Sequence, residues 1–280
     1  MAEKEFKFQE KRELGTIIND SFEFLKEEIQ PVSKLVLRYV FPFILMYGGL
    51  QVYVQMKILN TVDFSNPDKL LANIGPFYLN IMLSSLFAVF VQSLLVATYY
   101  TYIEAYVRKG KGNFTFEDIS DSLFSNSLQA LGANFLLYFM VLVGIIMCFL
   151  PGIYLANTLS PVVMVLLFER KGIAHAFNRT WKLVHTGWWQ TFALNLLALV
   201  IIYASGFLVT LPAGMVTGGS PSLGAGGTDG AENVSLLYWV LIGLSTIVSS
   251  LLVLIPYTFL AFQYFNLRER TEPSSPANRD

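Results

Sequence analysis

Charge is what this chain has least of. Only 14% of its 280 residues are Asp, Glu, Lys or Arg, against about 25% in an ordinary soluble domain. So little polar surface cannot keep a fold of this size in water, and a soluble globular class is excluded. Cysteine is single: Cys148 lies in an apolar run, cannot form an intramolecular disulfide, and reads as a packing residue. Histidine is scarce too. His175 and His185 stand ten residues apart without cysteine or an HExxH spacing, so no metal site is expected. There is no GxSxG elbow, P-loop or dinucleotide fingerprint. Catalytic residues, a cofactor and a nucleic-acid partner are accordingly not expected. The opening MAEKEFKFQEKRELG lacks an apolar core followed by a small-residue cleavage site. No cleavable signal peptide is expected, and the first span should act as its own insertion signal.

What the chain has in abundance is apolar residues. They make up 54% of it, with 23 Phe and 14 Tyr, and the mean hydropathy is +0.52. Crossing the hydrocarbon takes about 20 mostly apolar residues in a helix. Six segments qualify: Val36 to Met56, Phe77 to Ile103, Leu131 to Leu150, Ile153 to Phe168, Trp188 to Leu211 and Leu236 to Phe262. The third and fourth read as a hairpin around Pro151-Gly152. Lys and Arg accumulate on the cytoplasmic side of such proteins. Counted along the chain, seventeen fall on one side of this topology and two, Lys57 and Lys69, on the other. The expectation is a bacterial cytoplasmic (inner) membrane protein with both termini inside.

The segment AFNRTWKLVHTGWW, Ala176 to Trp189, reads as an amphipathic helix running into the fifth span. Ile173, Phe177, Trp181, Val184 and Trp188 recur at the spacing of one helical face. Arg179 and Lys182 lie opposite, toward lipid phosphates, and Trp188-Trp189 should anchor the start of the span at headgroup level. Similar helices precede the first span, with Leu14, Ile17, Ile18, Phe22, Leu25 and Ile29 as the apolar face, and the third, with Phe116, Ile119, Leu123 and Leu128. The fold class is therefore all-α: six transmembrane helices with amphipathic interfacial helices before spans 1, 3 and 5. The pattern suggests a three-fold internal repeat aligning Ser21, Ser122 and Thr180.

The organisation follows. Residues 1–34 form an N-terminal cytoplasmic segment and 35–268 the membrane domain. Within it, 214–235 is a flexible Gly-rich loop outside the membrane, and 269–280 is a disordered cytoplasmic tail. Charges within spans are nearly absent. Glu104 and Arg108, four residues apart near the end of the second span, have the spacing of a helical ion pair. Asn80, Gln92, Asn134, Asn157 and Asn195 fall inside spans two to five. Such amides hydrogen-bond across helices, and the alternative is a polar cavity for a substrate.

The stretch ERKGIAHAFNRTWKLVHTGWWQTFALNLL, Glu169 to Leu197, resembles the polytopic membrane domain found with some glycerophosphoryl diester phosphodiesterases and related stand-alone bacterial membrane proteins of unknown function. The matching positions are Ala176, Phe177, Arg179, Thr180, Trp181 and Leu183, and LGTIINDSFEFLKEEI (Leu14 to Ile29) resembles the opening of the same group. The resemblance implies a six-helix bundle and no reaction, because the phosphodiesterase chemistry belongs to a soluble barrel for which this chain has no room. The expected function is a non-enzymatic membrane module that organises lipids or a membrane or cytoplasmic protein partner. The alternative is a small transporter or exporter with an Asn-lined cavity.

Overall fold

The computed structural model describes residues 6–61, 67–216 and 236–272, with side chains placed at 6–58, 73–215 and 236–272. Among the described residues every regular element is an α-helix: α1 (Leu14–Tyr39), α2 (Phe41–Thr61), α3 (Pro67–Lys109), α4 (Phe116–Met147), α5 (Phe149–Leu159), α6 (Val162–Glu169), α7 (Ile173–His185), α8 (Trp188–Val216), α9 (Leu236–Leu252) and α10 (Leu254–Thr271). Five helical stretches are long and apolar enough to cross a membrane: Asn73–Lys109, Phe116–Met147, Phe149–Glu169, Trp188–Met215 and Leu236–Thr271. The broken pair Leu14–Tyr39 and Phe41–Ile58 makes a sixth if it counts as one span.

Several expected boundaries move. Residues Val36 to Tyr39, assigned above to the first span, complete α1, which runs on through Pro31 and breaks at Val40. A domain boundary at residue 34 therefore falls inside a helix. The amphipathic stretch before the third span is not a separate element. A capping box starts α4, with Thr115 Oγ1 accepting from the Asp118 amide (3.3 Å) and the Thr115 amide donating to the Asp118 carboxylate (2.9 Å). No proline interrupts the chain from there to Met147, so nothing in the backbone ends the helix. At 32 residues α4 is about 48 Å long, more than the ~30 Å hydrocarbon thickness.

The hairpin turn also shifts, from Pro151-Gly152 to Cys148, whose backbone is extended (φ −171°, ψ 145°). Pro151 sits in the first turn of α5, where its missing N–H would have had no helical partner anyway. Gly152 is needed for a different reason: a Cβ there would lie 2.9 Å from the Ile145 amide nitrogen and 3.0 Å from its Cα. Gly144 faces it, and so α4 and α5 approach backbone to backbone. Cys148 is exposed at this turn rather than packed. At the far end, α10 continues to Thr271 with Glu269 buried, so residues 269–271 belong to the helix and not to a tail. Gly214 to Val216 likewise complete α8. The rest of the Gly-rich loop (217–235) and of the tail (273–280) lies outside the described residues.

The chain divides into two compact units. One comprises Phe41–Gln92 and Ile201–Val253. In it α2 and α9 pack closely, with a Cβ on Gly48 only 3.3 Å from the Gly243 carbonyl oxygen. Ala213, Tyr238, Trp239 and Ile242 form its buried core, covered by Val52, Met56 and Leu241. Gln51 donates to Tyr47 (2.7 Å) and Ser84 (3.0 Å).

The other unit comprises the described parts of Met1–Val40, Ser93–Val200 and Leu254–Asp280. Its centre is α6, in which every residue from Val162 to Phe168 is buried. In α1 the protein-facing side is Ile17, Ser21, Phe24, Glu28, Val32 and Leu35. Phe22 and Ile29, on the apolar face expected toward the membrane interface, are exposed. The apolar stripe is wider than one contact, and the small Ser21 lets the helix seat on its other edge.

Candidate functional site

The site is built where α6 ends and α7 begins. The chain leaves α6 at Glu169, turns through Arg170 in the left-handed region (φ 52°), and starts α7 from Gly172 at φ 86°. Glycine reaches that value without the Cβ clash other residues suffer. α7 then doubles back antiparallel along α6 and α5. His175 near its start meets Glu169, and His185 at its end meets Tyr154. The buried face of α7 is Ala176, Thr180, Leu183 and Val184. Val184 of the expected apolar face is among them, while Phe177, Trp181 and Trp188, expected to insert into lipid, are half-buried or exposed. α7 is thus the returning arm of a hairpin.

The turn gathers charge. Glu169 Oε1 accepts from Arg179 Nε (3.1 Å) and from the Tyr264 hydroxyl (3.4 Å), while its other oxygen lies 3.0 Å from His175 Nε2. Arg179 Nη2 reaches on to Glu272 at 2.8 Å. Burial works against the Arg179 charge, but its bonds to Glu272 and Glu169 outweigh that and hold the guanidinium above its ordinary range. Beside this cluster Glu104, buried in α3, takes Arg108 Nε at 3.0 Å and Arg170 Nη2 at 3.0 Å. Arg108 also donates to the Phe168 carbonyl (3.1 Å) and lies over that ring. Beside these groups lies an open cavity of about 710 Å³, lined by Gln9, Val107, Arg108, Phe168, Glu169, Lys171, His175, Arg179, Arg268 and Glu272. Its volume lies within the range of small-molecule sites.

The N-terminal segment, expected above to be a cytoplasmic stretch with an amphipathic helix, contributes Gln9 to the lining. Phe6 and Phe8 are buried. Phe8 stacks on Phe262 (4.5 Å) and meets Phe24, Tyr106 and Phe265 edge-on or tilted. Arg12, 6% exposed, donates to the carbonyls of Lys7, Phe8 and Glu10 and pairs with Asp20 at 2.8 Å. Its own backbone bonds Asn266, Gln190 and Arg270. The strap thus threads its polar backbone onto α8 and α10, placing Gln9 on the cavity. The period-two alternation of Phe6 and Phe8 among charges was the signal in the sequence.

The expected site residues separate. Arg179 is engaged by two carboxylates, Glu169 and Glu272, and lines the cavity. Lys182 is exposed. Trp181 and Trp189 are 40% and 76% exposed, Phe177 and Trp188 half-buried. Trp188 stacks between Tyr154 (5.7 Å) and Phe192 (5.3 Å) and donates to Thr158 (3.1 Å). Glu104 and Arg108 are paired. Of the amides, Asn134 lines a smaller cavity of about 210 Å³ with Ser160; Asn195 donates to Asn157 (2.8 Å) and Ser160 (3.0 Å), and Asn134 donates to Ser93 (2.9 Å). Asn80 bonds the Pro76 carbonyl of its own helix, and Gln92 is half-buried in the same unit as Asn80.

Compared with protein-family models, with curated proteins and with solved structures, the chain matches none. The site must be read from its own chemistry. Among the described residues no cluster of His, Cys, Asp and Glu is arranged to hold a metal ion. Each carboxylate at the cavity is already committed to cations.

Proposed function

We propose that the chain is an integral protein of the bacterial cytoplasmic membrane, crossing it six times with both termini inside, and that it is a non-enzymatic module holding lipids or a protein partner at the cytoplasmic side. The observation that carries this reading is the open cavity of about 710 Å³ bordered by Arg108, Lys171, Arg179 and Arg268. Arg108 and Arg179 in its lining are held by ion pairs, so a ligand meets a partly formed surface and less ordering is required on binding. The module is favoured over the transporter alternative by amides that pair with each other and with serine: Asn157 with Asn195, and Asn134 with Ser93. Amides spent in this way hold helices together.

The three-fold repeat belongs to the same proposal. Ser21 and Thr180 are both fully buried on the protein-facing side of their helices. Ser21 donates back to the Ile17 carbonyl (2.6 Å), and Ser122 to that of Ile119 (3.2 Å). The likeness to phosphodiesterase-linked membrane domains contributes the bundle only, since fold likeness carries no reaction. The test is mild detergent extraction of the tagged chain and mass spectrometry of what stays bound. Retained lipid or a stoichiometric protein partner supports the module. An empty protein that drives solute flux in liposomes replaces it with the transporter.

A further inference from the structure

We propose that this cavity is a binding site for a phosphate group, carried either by a lipid headgroup or by a soluble phosphate ester. The inference rests on the module reading and names the chemistry of its ligand. Five cationic side chains meet at the α6–α7 turn: Arg108, Arg170, Lys171, Arg179 and Arg268. Three carboxylates answer them, and their commitments are specific. Glu104 is shared by Arg108 and Arg170, and Arg179 is held between Glu169 and Glu272. Lys171 and Arg268 line the cavity, and neither is matched by a carboxylate among the described residues. The surplus is two positive charges, which equals the charge a phosphate monoester carries near neutral pH, about −1.5 to −2.

The geometry favours phosphate over a lone carboxylate. Guanidinium groups present planar forks of donors that suit tetrahedral oxyanions, and an ammonium adds a point charge. The Arg108 fork is oriented by Glu104 and by the Phe168 carbonyl, over the Phe168 ring at 5.6 Å. Arg179 is oriented by its two carboxylates. The cavity exceeds a bare phosphate ion, leaving room for the group that bears it.

The test uses the full chain purified in an uncharged maltoside detergent. Inorganic phosphate and glycerol 3-phosphate are titrated by calorimetry. Micelles doped with phosphatidic acid, or with diacylglycerol of the same tails, are compared by native mass spectrometry. Expected is saturable binding of a phosphate-bearing probe and none of diacylglycerol. Binding of the soluble probes identifies a free ester as the source, and binding of phosphatidic acid alone identifies a lipid. Lys171→Gln with Arg268→Gln should weaken the bound probe about tenfold or more. Lys182→Gln, an exposed cation of α7 outside the cavity, should leave it unchanged. Because Lys171 is exposed, Lys171→Gln alone is a variant that keeps the fold, and it should weaken binding on its own. Lys171→Arg should restore it. Wild-type protein that binds no phosphate-bearing probe, or a double variant that binds as wild type does, overturns the site. If the wild type nevertheless retains lipid or a partner on extraction, the module stands without the phosphate site. If it retains nothing, the module falls as well.

Discussion

Single side chains at the α6–α7 end of this protein do work that their composition hides. Phe8 is buried against four rings of α1, α3 and α10. Truncating a buried phenylalanine removes its transfer free energy and leaves a void. Phe8→Ala is therefore expected to lower stability by about 3 kcal/mol, read as a fall in the unfolding midpoint in detergent. A loss smaller than about 1 kcal/mol would show that the strap is only laid on the surface. Glu104 makes the complementary point. The i, i+4 spacing to Arg108 was legible in the sequence, but Arg170 lies 66 positions away, and only the fold brings it to the same carboxylate. Glu169 was passed over because its partners His175, Arg179 and Tyr264 belong to other helices.

At the scale of elements, close approach decides more than hydrophobicity does. The α4–α5 hairpin depends on Gly144 and Gly152. An added Cβ at Gly152 would meet the Ile145 backbone at 2.9 to 3.0 Å and its side chain at 2.3 Å. Gly152→Ala should cost about 1–3 kcal/mol through overpacking. Gly206→Ala in α8, where nothing lies within 4 Å, should be neutral or stabilise by about 0.5–1 kcal/mol through helix propensity. Thermal unfolding of the pair checks both. Equal effects would mean that the glycines act through backbone flexibility and not through contact. The same logic sets the packed face of α7. Antiparallel packing on α6 and α5 selects the small Ala176 and Thr180, because close-packed interiors reward fit over size, and leaves Phe177 and Trp181 at the flank.

For the molecule as a whole, the proposed orientation rests on the distribution of Lys and Arg. With Cys148 replaced by serine, Ser222→Cys in the Gly-rich loop should react with a membrane-impermeant maleimide in intact cells. Ser274→Cys in the tail should react only after the membrane is opened. The reverse pattern would invert the topology and move the cationic cavity to the outer side. If both sites react in intact cells, the segment Leu236 to Phe262 between them does not cross, contrary to the six spans proposed.

By itself the sequence determined the all-helical, membrane-compatible class and nearly every apolar segment, because a helix in lipid must satisfy its own backbone and announces itself by a continuous run. It also determined the Glu104–Arg108 pair, which is local to one helix turn. What tertiary structure alone decided is where helices stop and which faces meet. Val40 and Cys148 break the chain with no glycine or proline at the break itself, while Pro31 does not end its helix. The cavity is likewise tertiary. Its lining runs from Gln9 to Glu272, and charges so far apart in the chain are neighbours only once α6, α7, α10 and the N-terminal strap have packed around one turn.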